Sequence, residues 1–405
     1  MGVANAKLKA RPVPPPAAIA GRPALQMRFG AEFKLEPGLY RAPGRVNLIG
    51  EHTDDNDGFM LPEALDLSTW VAAALGKNRT LRFKSLLGGE ALEFTLDDPA
   101  PVPRHDWSDY ARRVAVTLQA AGFALKGADM MIDSDAPIGS GLRSSAALDV
   151  SVGFALLDVA VDRVKLAQAC QRAESEFVGM HCGVMDPFIS CLGVAGQALP
   201  PDCGSLDYRP APIAPSVRLV VCNSTAHHKL ASGEYNLRRA ERGRGVALLT
   251  PLLPGVRTLR DVTLAQLVAH EAASPEVAFR RRRHVVTEDE RVLKGVAALE
   301  AENVVEFGRL ANASHRSLRD AYQVSCRELD ILAELAWGIE GALGSRMMEG
   351  GFGGWTLSIV RVEAVERFTA DLAKGYAAAT KLTPEIFLCL TGDGVSVVTP
   401  LEIAA

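Results

Sequence analysis

The chain has 405 residues, 48% of them hydrophobic and 23% charged, which is enough to bury a large core and to form two or three domains. A formal net charge of −4 offers no general attraction to nucleic acid or anionic lipid, and no apolar run reaches the roughly 20 residues that span a bilayer. Seven cysteines, an odd number without C-x-x-C spacing, fit neither a disulfide framework nor a zinc site and point to a reducing, cytoplasmic setting.

Residues 1–29 carry Pro12, Pro14, Pro15 and Pro16 and no acid, and read as a disordered arm without the apolar core of a secretory signal. From Ala42 to Pro62 polar groups accumulate that neither helix nor strand periodicity requires. Glu51, His52, Asp54 and Asn56 fall within six positions, and Gly44, Gly50 and Gly58 allow tight turns and close approach to a ligand. By residue type alone this is either a ligand site or a polar turn.

Alternation in Thr80-Leu81-Arg82-Phe83-Lys84 predicts a strand bounded by Gly88 and Gly89, and strand character returns at Met130-Met131-Ile132. Tyr110, Val114 and Leu118 recur at four-residue spacing, predicting a helix over 108–121 that stops before Gly122. Strands interspersed with helices indicate an α+β or α/β protein.

Pro137-Ile138-Gly139-Ser140-Gly141-Leu142-Arg143-Ser144-Ser145 is a glycine-rich loop feeding a helix that carries Leu148, Val152, Leu156 and Val159. First-turn amides and the helix dipole suit an anion there, although the lysine of a Walker A loop is absent. Farther on, Glu174 shares a helix with the apolar residues Leu166, Ala169, Cys170, Ala173 and Phe177, where a solvated carboxylate is the plain expectation. Asp186 followed by Pro187 reads as a helix start with the aspartate at the N-cap. Val217–Cys222 and Thr356–Arg361 read as strands, a helical pattern begins near Ser232, and Arg280–Arg283 reads as a solvated helix start. Glu349-Gly350-Gly351-Phe352-Gly353-Gly354 supplies a tight glycine-rich turn.

These stretches together resemble the galactokinases of the GHMP small-molecule kinase superfamily. Gly44-Arg45-Val46-Asn47-Leu48-Ile49-Gly50-Glu51-His52-Thr53-Asp54 through Pro62 is similar to that family's sugar signature, broken only by Asp55 where tyrosine is usual. The resemblance implies that Glu51, His52 and Asp54 hold sugar hydroxyls, together with Gly183 and Tyr235, and that Arg45 lies beside a catalytic base at Asp186. It further implies that Gly139, Ser140, Gly141, Leu142, Arg143, Ser144 and Ser145 wrap the ATP phosphates, and that Ser144 and Glu174 bind Mg2+. The family usually has serine at position 143, glutamine at 187, threonine at 348 and glycine at 349. The carboxylate of Glu349 is expected to oppose ATP phosphates, and its backbone to be strained if the turn needs positive φ.

The fold implied is a two-lobed α+β GHMP kinase. An N-terminal domain over 30–214 would resemble ribosomal protein S5 domain 2, and a C-terminal domain over 215–405 would be ferredoxin-like, with the substrates in the cleft between. The implied reaction is transfer of phosphoryl from ATP to the C1 hydroxyl of D-galactose by a monomer or weak dimer. The alternatives are a kinase of a related sugar such as N-acetylgalactosamine, or a non-catalytic galactose and ATP sensor.

Overall fold

A computed structural model describes residues 22–98, 104, 106–135, 144–157, 161–178, 183–203, 205–226, 249–273 and 275–398. In chain order the elements are α1 (Pro23–Phe33), β1 (Gly38–Asn47), β2 (Pro62–Leu75), β3 (Thr80–Ser85), β4 (Leu92–Thr95), α2 (Ser108–Ala120), β5 (Ala128–Ser134), α3 (Ser144–Leu156), α4 (Arg163–Val178) and α5 (Met185–Leu192). They continue as β6 (Gln197–Ala198), β7 (Ala211–Pro212), β8 (Val217–Asn223), α6 (Leu264–Ala269), α7 (Glu276–Glu300), α8 (Val304–Ser317), α9 (Arg327–Gly338), β9 (Ala342–Met347), β10 (Trp355–Arg361), α10 (Val365–Thr380), β11 (Glu385–Cys389) and β12 (Ser396–Val397). The expected strands around 80–84, 130–132, 217–222 and 356–361 are present, as is the helix that ends before Gly122.

Contacts divide the chain into two compact units. One comprises the described residues of 22–45, Ala64–Ala195 and 391–398; the other comprises Val46–Glu63 and Gly196–Leu390. The first holds a six-stranded sheet in the order β12-β1-β2-β5-β3-β4, with β3 parallel to β5 and β2 antiparallel to it through Trp70 opposite Asp133. Here α1 corrects the expectation of disorder up to residue 29. Pro23 occupies its opening turn, where the missing N–H costs nothing, and Leu25 and Phe29, four residues apart, pack against Leu39, Trp70 and Met131. Helices α2, α3 and α4 bury Val114, Leu118, Val152, Leu166, Cys170 and Ala173, the apolar positions that predicted them.

The second unit is built on an antiparallel sheet in the order β11-β8-β10-β9. Because side chains alternate across a strand, this sheet feeds two cores. Val220, Cys222 and Val360 pack with Phe368, Leu372 and Tyr376 of α10, whereas Met347 joins Val285, Val286, Leu318 and Tyr322. The basic run at the start of α7 is solvated only in part: Arg283 is exposed and Arg280 half-buried. Arg281 and Arg282 are buried, Arg281 donating to the Ala321 carbonyl at 2.6 Å and to Gln323 Oε1 at 2.8 Å, and Arg282 donating to the Ala278 carbonyl at 3.1 Å. The Ala321 carbonyl, where the helix after α8 widens into a π turn, and the Gln323 side chain supply the acceptors that make the burial of Arg281 tolerable.

Candidate active site

Every residue of β1 after Gly38 is buried, so Arg45 at 3% exposure must find a partner inside the protein. It finds Asp186: Arg45 Nε donates to Asp186 Oδ1 at 2.5 Å. Asp186 is itself buried, in the first turn of α5. It is not the N-cap, a place taken by Val184 without any side-chain cap, and its carboxylate accepts from the Arg45 guanidinium. One turn on, the Ser190 hydroxyl donates to the Pro43 carbonyl at 2.9 Å and ties α5 to β1. Gly183, half-buried, lies three residues before Asp186.

In the same unit, Glu174 on α4 is 6% exposed, so the expectation of a solvated helical carboxylate fails. It lies close enough to Asp149 of α3 and Arg113 of α2 for its charge to bear on both. Arg113 Nη2 donates to Asp149 Oδ2 at 2.7 Å, with both side chains 1% exposed. Burial first, and then repulsion from Glu174, push the Asp149 carboxyl up to about 8 despite the arginine. Two buried carboxyl groups thus lie within electrostatic reach of one guanidinium, which pairs with Asp149. Ser144 and Ser145 open α3. Gly139, Ser140, Gly141, Leu142 and Arg143 fall outside the described residues, as does Tyr235. Among the described residues, no group of three or more His, Cys, Asp or Glu side chains could hold a metal ion.

In the other unit, residues 48–61 fold back on themselves through Leu48 N–H to Leu61 O at 2.9 Å and Leu61 N–H to Ile49 O at 3.0 Å. The turn needs glycine at position 50, where φ is 103° and a Cβ would come within 2.7 Å of the Phe59 carbonyl. Asp54, half-buried, begins a short 3-10 turn over Asp54–Asn56. Glu51 and His52 are buried. Glu51 Oε1 lies 3.2 Å from Arg346 Nη2 and accepts the Glu349 backbone N–H at 3.2 Å, while the His52 ring stacks on Tyr322 with centroids 4.5 Å apart. Glu349 has φ of 65°, so this turn does adopt the left-handed region that glycine favours.

Arg346, Glu288, His284 and Tyr322 surround Glu51 and His52, yet sequence reasoning gave them no site role. The available signal was His284 and Glu288 at i, i+4 on an otherwise apolar helix face with Val285 and Val292, which indicates buried polar groups.

The fold is that of the GHMP kinases: residues 109–194 match the GHMP kinases N terminal domain, and a mevalonate kinase of 17% identity superposes with a TM-score of 0.61, covering 87% of this chain and 98% of that one. Residues 27–75 match the galactokinase galactose-binding signature. The chain is 47% identical over 367 residues to a galactokinase of Chloroflexus aurantiacus, covering 90% of this chain and 94% of that one, and 46% identical over 376 residues to one of Roseiflexus sp., covering 92% and 96%. A crystal structure of Lactococcus lactis galactokinase complexed with galactose, 31% identical, superposes with a TM-score of 0.88 over 93% of this chain and 99% of that one. The chain belongs to the galactokinase family.

Proposed function

We propose that this protein phosphorylates D-galactose at the C1 hydroxyl with ATP. The observation that carries the reading is the buried Arg45–Asp186 pair, which sits at the two positions where the galactokinase resemblance implies a catalytic base and its companion cation. In the reaction the C1 oxygen attacks the γ-phosphorus, the bond from that phosphorus to the β,γ-bridging oxygen breaks, and ADP leaves. Asp186 orients the hydroxyl and takes its proton. Arg45 holds the Asp186 carboxylate in one rotamer and brings a permanent positive charge toward the transferred group. The transition state of such transfers is loose, so these positioning and charge effects supply most of the catalysis.

Glu51, His52, Asp54, Gly183 and Tyr235 are assigned to the sugar, and Gly139 to Ser145 to the ATP phosphates. Mg2+ fits the chemistry of Glu174 and Ser144: a carboxylate and a hydroxyl are hard oxygen donors, and the repulsion by which Glu174 raises the Asp149 carboxyl is what a nearby divalent cation would relieve. When bound, the ion would neutralise charge on the phosphate oxygens. A cytoplasmic setting is consistent with Cys170, Cys191, Cys203, Cys222, Cys326 and Cys389, all free thiols.

The test is product analysis by phosphorus NMR after incubation with ATP, Mg2+ and, separately, D-galactose, N-acetylgalactosamine and D-glucose. A sugar 1-phosphate from galactose in clear excess over the others supports the reading. Phosphorylation of N-acetylgalactosamine alone, or of none of the three, would overturn it.

A further inference from the structure

Glu51 can select a sugar hydroxyl only if its carboxylate is already fixed, since each long side chain that must be ordered on binding weakens affinity. The residues that fix it lie outside the signature. Arg346, fully buried on β9, spreads its guanidinium over the segment: Nη1 donates to the carbonyls of Asn47 at 3.0 Å and Leu48 at 3.4 Å, and Nη2 lies 3.2 Å from Glu51 Oε1. From α7, Glu288 Oε1 accepts the Gly50 backbone N–H at 3.1 Å and the Ser314 hydroxyl at 2.5 Å, while Arg291 Nε donates to Glu288 Oε2 at 2.6 Å. One turn earlier on the same face, His284 Nε2 lies 3.1 Å from the Glu51 carbonyl and Nδ1 lies 2.9 Å from the Ser317 hydroxyl.

The protonation states agree with this arrangement. Burial lowers the His284 ring to about 4, so the imidazole is neutral at pH 7. A carbonyl only accepts, so the proton sits on Nε2 and donates to Glu51, and Ser317 donates to Nδ1. Burial would raise Glu288, but the charges of Arg291 and Arg346 and the Ser314 hydrogen bond work against it, and the carboxyl lies at about 2.

We propose that Arg346, Glu288 and His284 are positioning residues for sugar binding: by gripping the backbone of residues 47–51 they preset the Glu51 carboxylate before galactose arrives. None of the three needs to touch the sugar. The proposal rests on the assignment of Glu51 to sugar hydroxyls, and it accounts for fully buried charges placed around a loop and not in either apolar core.

The experiment measures KM for galactose and for ATP, thermal stability, and hydrogen exchange over residues 46–61 in the wild type and in Arg346→Lys, Glu288→Gln and Ser317→Ala. Lysine keeps the charge but not the fork that reaches two carbonyls and a carboxylate. Arg346→Lys and Glu288→Gln should raise the galactose KM about tenfold or more, leave the ATP KM within about twofold, and speed exchange in 46–61 selectively. Ser317→Ala, the mildest change, should shift galactose KM in the same direction by a few fold. Equal losses in both KM values, or faster exchange spread over the whole unit, would show a general structural role and overturn the proposal. A wild type that turns over no galactose would remove the functional reading, while the exchange pattern would still decide whether the three residues grip the segment.

Discussion

Arg45 and Asp186 stand 141 positions apart in the chain and meet at 2.5 Å, each buried, with a guanidinium nitrogen against a carboxylate oxygen. Because a strand and a helix deliver the two groups, and Ser190 ties the helix to Pro43 of that strand, the pair is held by backbone and not by loop contacts. Arg45→Met leaves Asp186 buried without the Arg45 guanidinium and, on the proposed reaction, removes a charge beside the transferred group. Turnover should fall on the order of 100-fold or more, the usual cost of deleting one preorganised electrostatic group. Arg45→Lys should recover little of it, because an ammonium cannot reproduce the Nε geometry. Steady-state kinetics of both variants checks this; a lysine variant near wild-type rate would reduce the role of Arg45 to bulk charge.

Glu349 combines a left-handed backbone with a hydrogen bond to Glu51. Its N–H donates to Glu51 Oε1, and glycine can make the same hydrogen bond without the steric cost of a Cβ at φ 65°. Glu349→Gly should therefore stabilise the protein by roughly 0.5–1 kcal/mol, the strain relieved less the entropy glycine gains when unfolded. Differential scanning calorimetry should show a higher Tm with galactose binding kept. A lower Tm would mean that the Glu349 side chain contributes more than the strain costs.

Glu63, the second residue of β2, is fully buried and neither oxygen meets a hydrogen-bond partner among the described residues. Burial raises its carboxyl from 4.5 to about 8. The folded protein then binds a proton that the unfolded chain releases between those two values, so this residue makes stability fall as pH rises from about 4.5 to 8. Glu63→Gln, which resembles the neutral acid at every pH, should match the wild type near pH 4.5 and exceed it by on the order of 3 kcal/mol at pH 8. Parallel stability-versus-pH curves for the two proteins would refute this.

Glu174→Gln keeps the side chain's size and removes its charge. The Mg2+ concentration giving half-maximal rate should rise on the order of tenfold while galactose binding is retained. Removing repulsion from Asp149 should also leave the protein no less stable, a readout that needs no metal. An unchanged Mg2+ requirement would take Glu174 out of the metal site.

The sequence showed its chemistry where polar residues interrupt apolar periodicity. Glu51, His52 and Asp54 stood out on those grounds, whereas the pairing of Arg45 with Asp186 came only from the family resemblance, and strands such as β3 and β10 followed from residue type and alternation. What stayed hidden depends on partners distant in the chain. Arg281 read as part of a solvated charge run because its acceptors, the Ala321 carbonyl and the Gln323 side chain, lie some 40 residues on. Glu174 read as solvated because Arg113 and Asp149, on two other helices, become its neighbours only when these pack. The grip of Arg346 on Asn47 and Leu48 spans nearly 300 positions, and no local pattern encodes it.

The most direct test of the account compares wild type and Asp186→Asn in ADP release with Mg2+, ATP and D-galactose, with galactose binding measured on both by calorimetry. The account predicts galactose-dependent turnover of about 1–100 s⁻¹ for the wild type, and a variant that binds galactose yet releases almost no ADP. Near-normal turnover by Asp186→Asn, or ADP release by the wild type that ignores galactose, would contradict it.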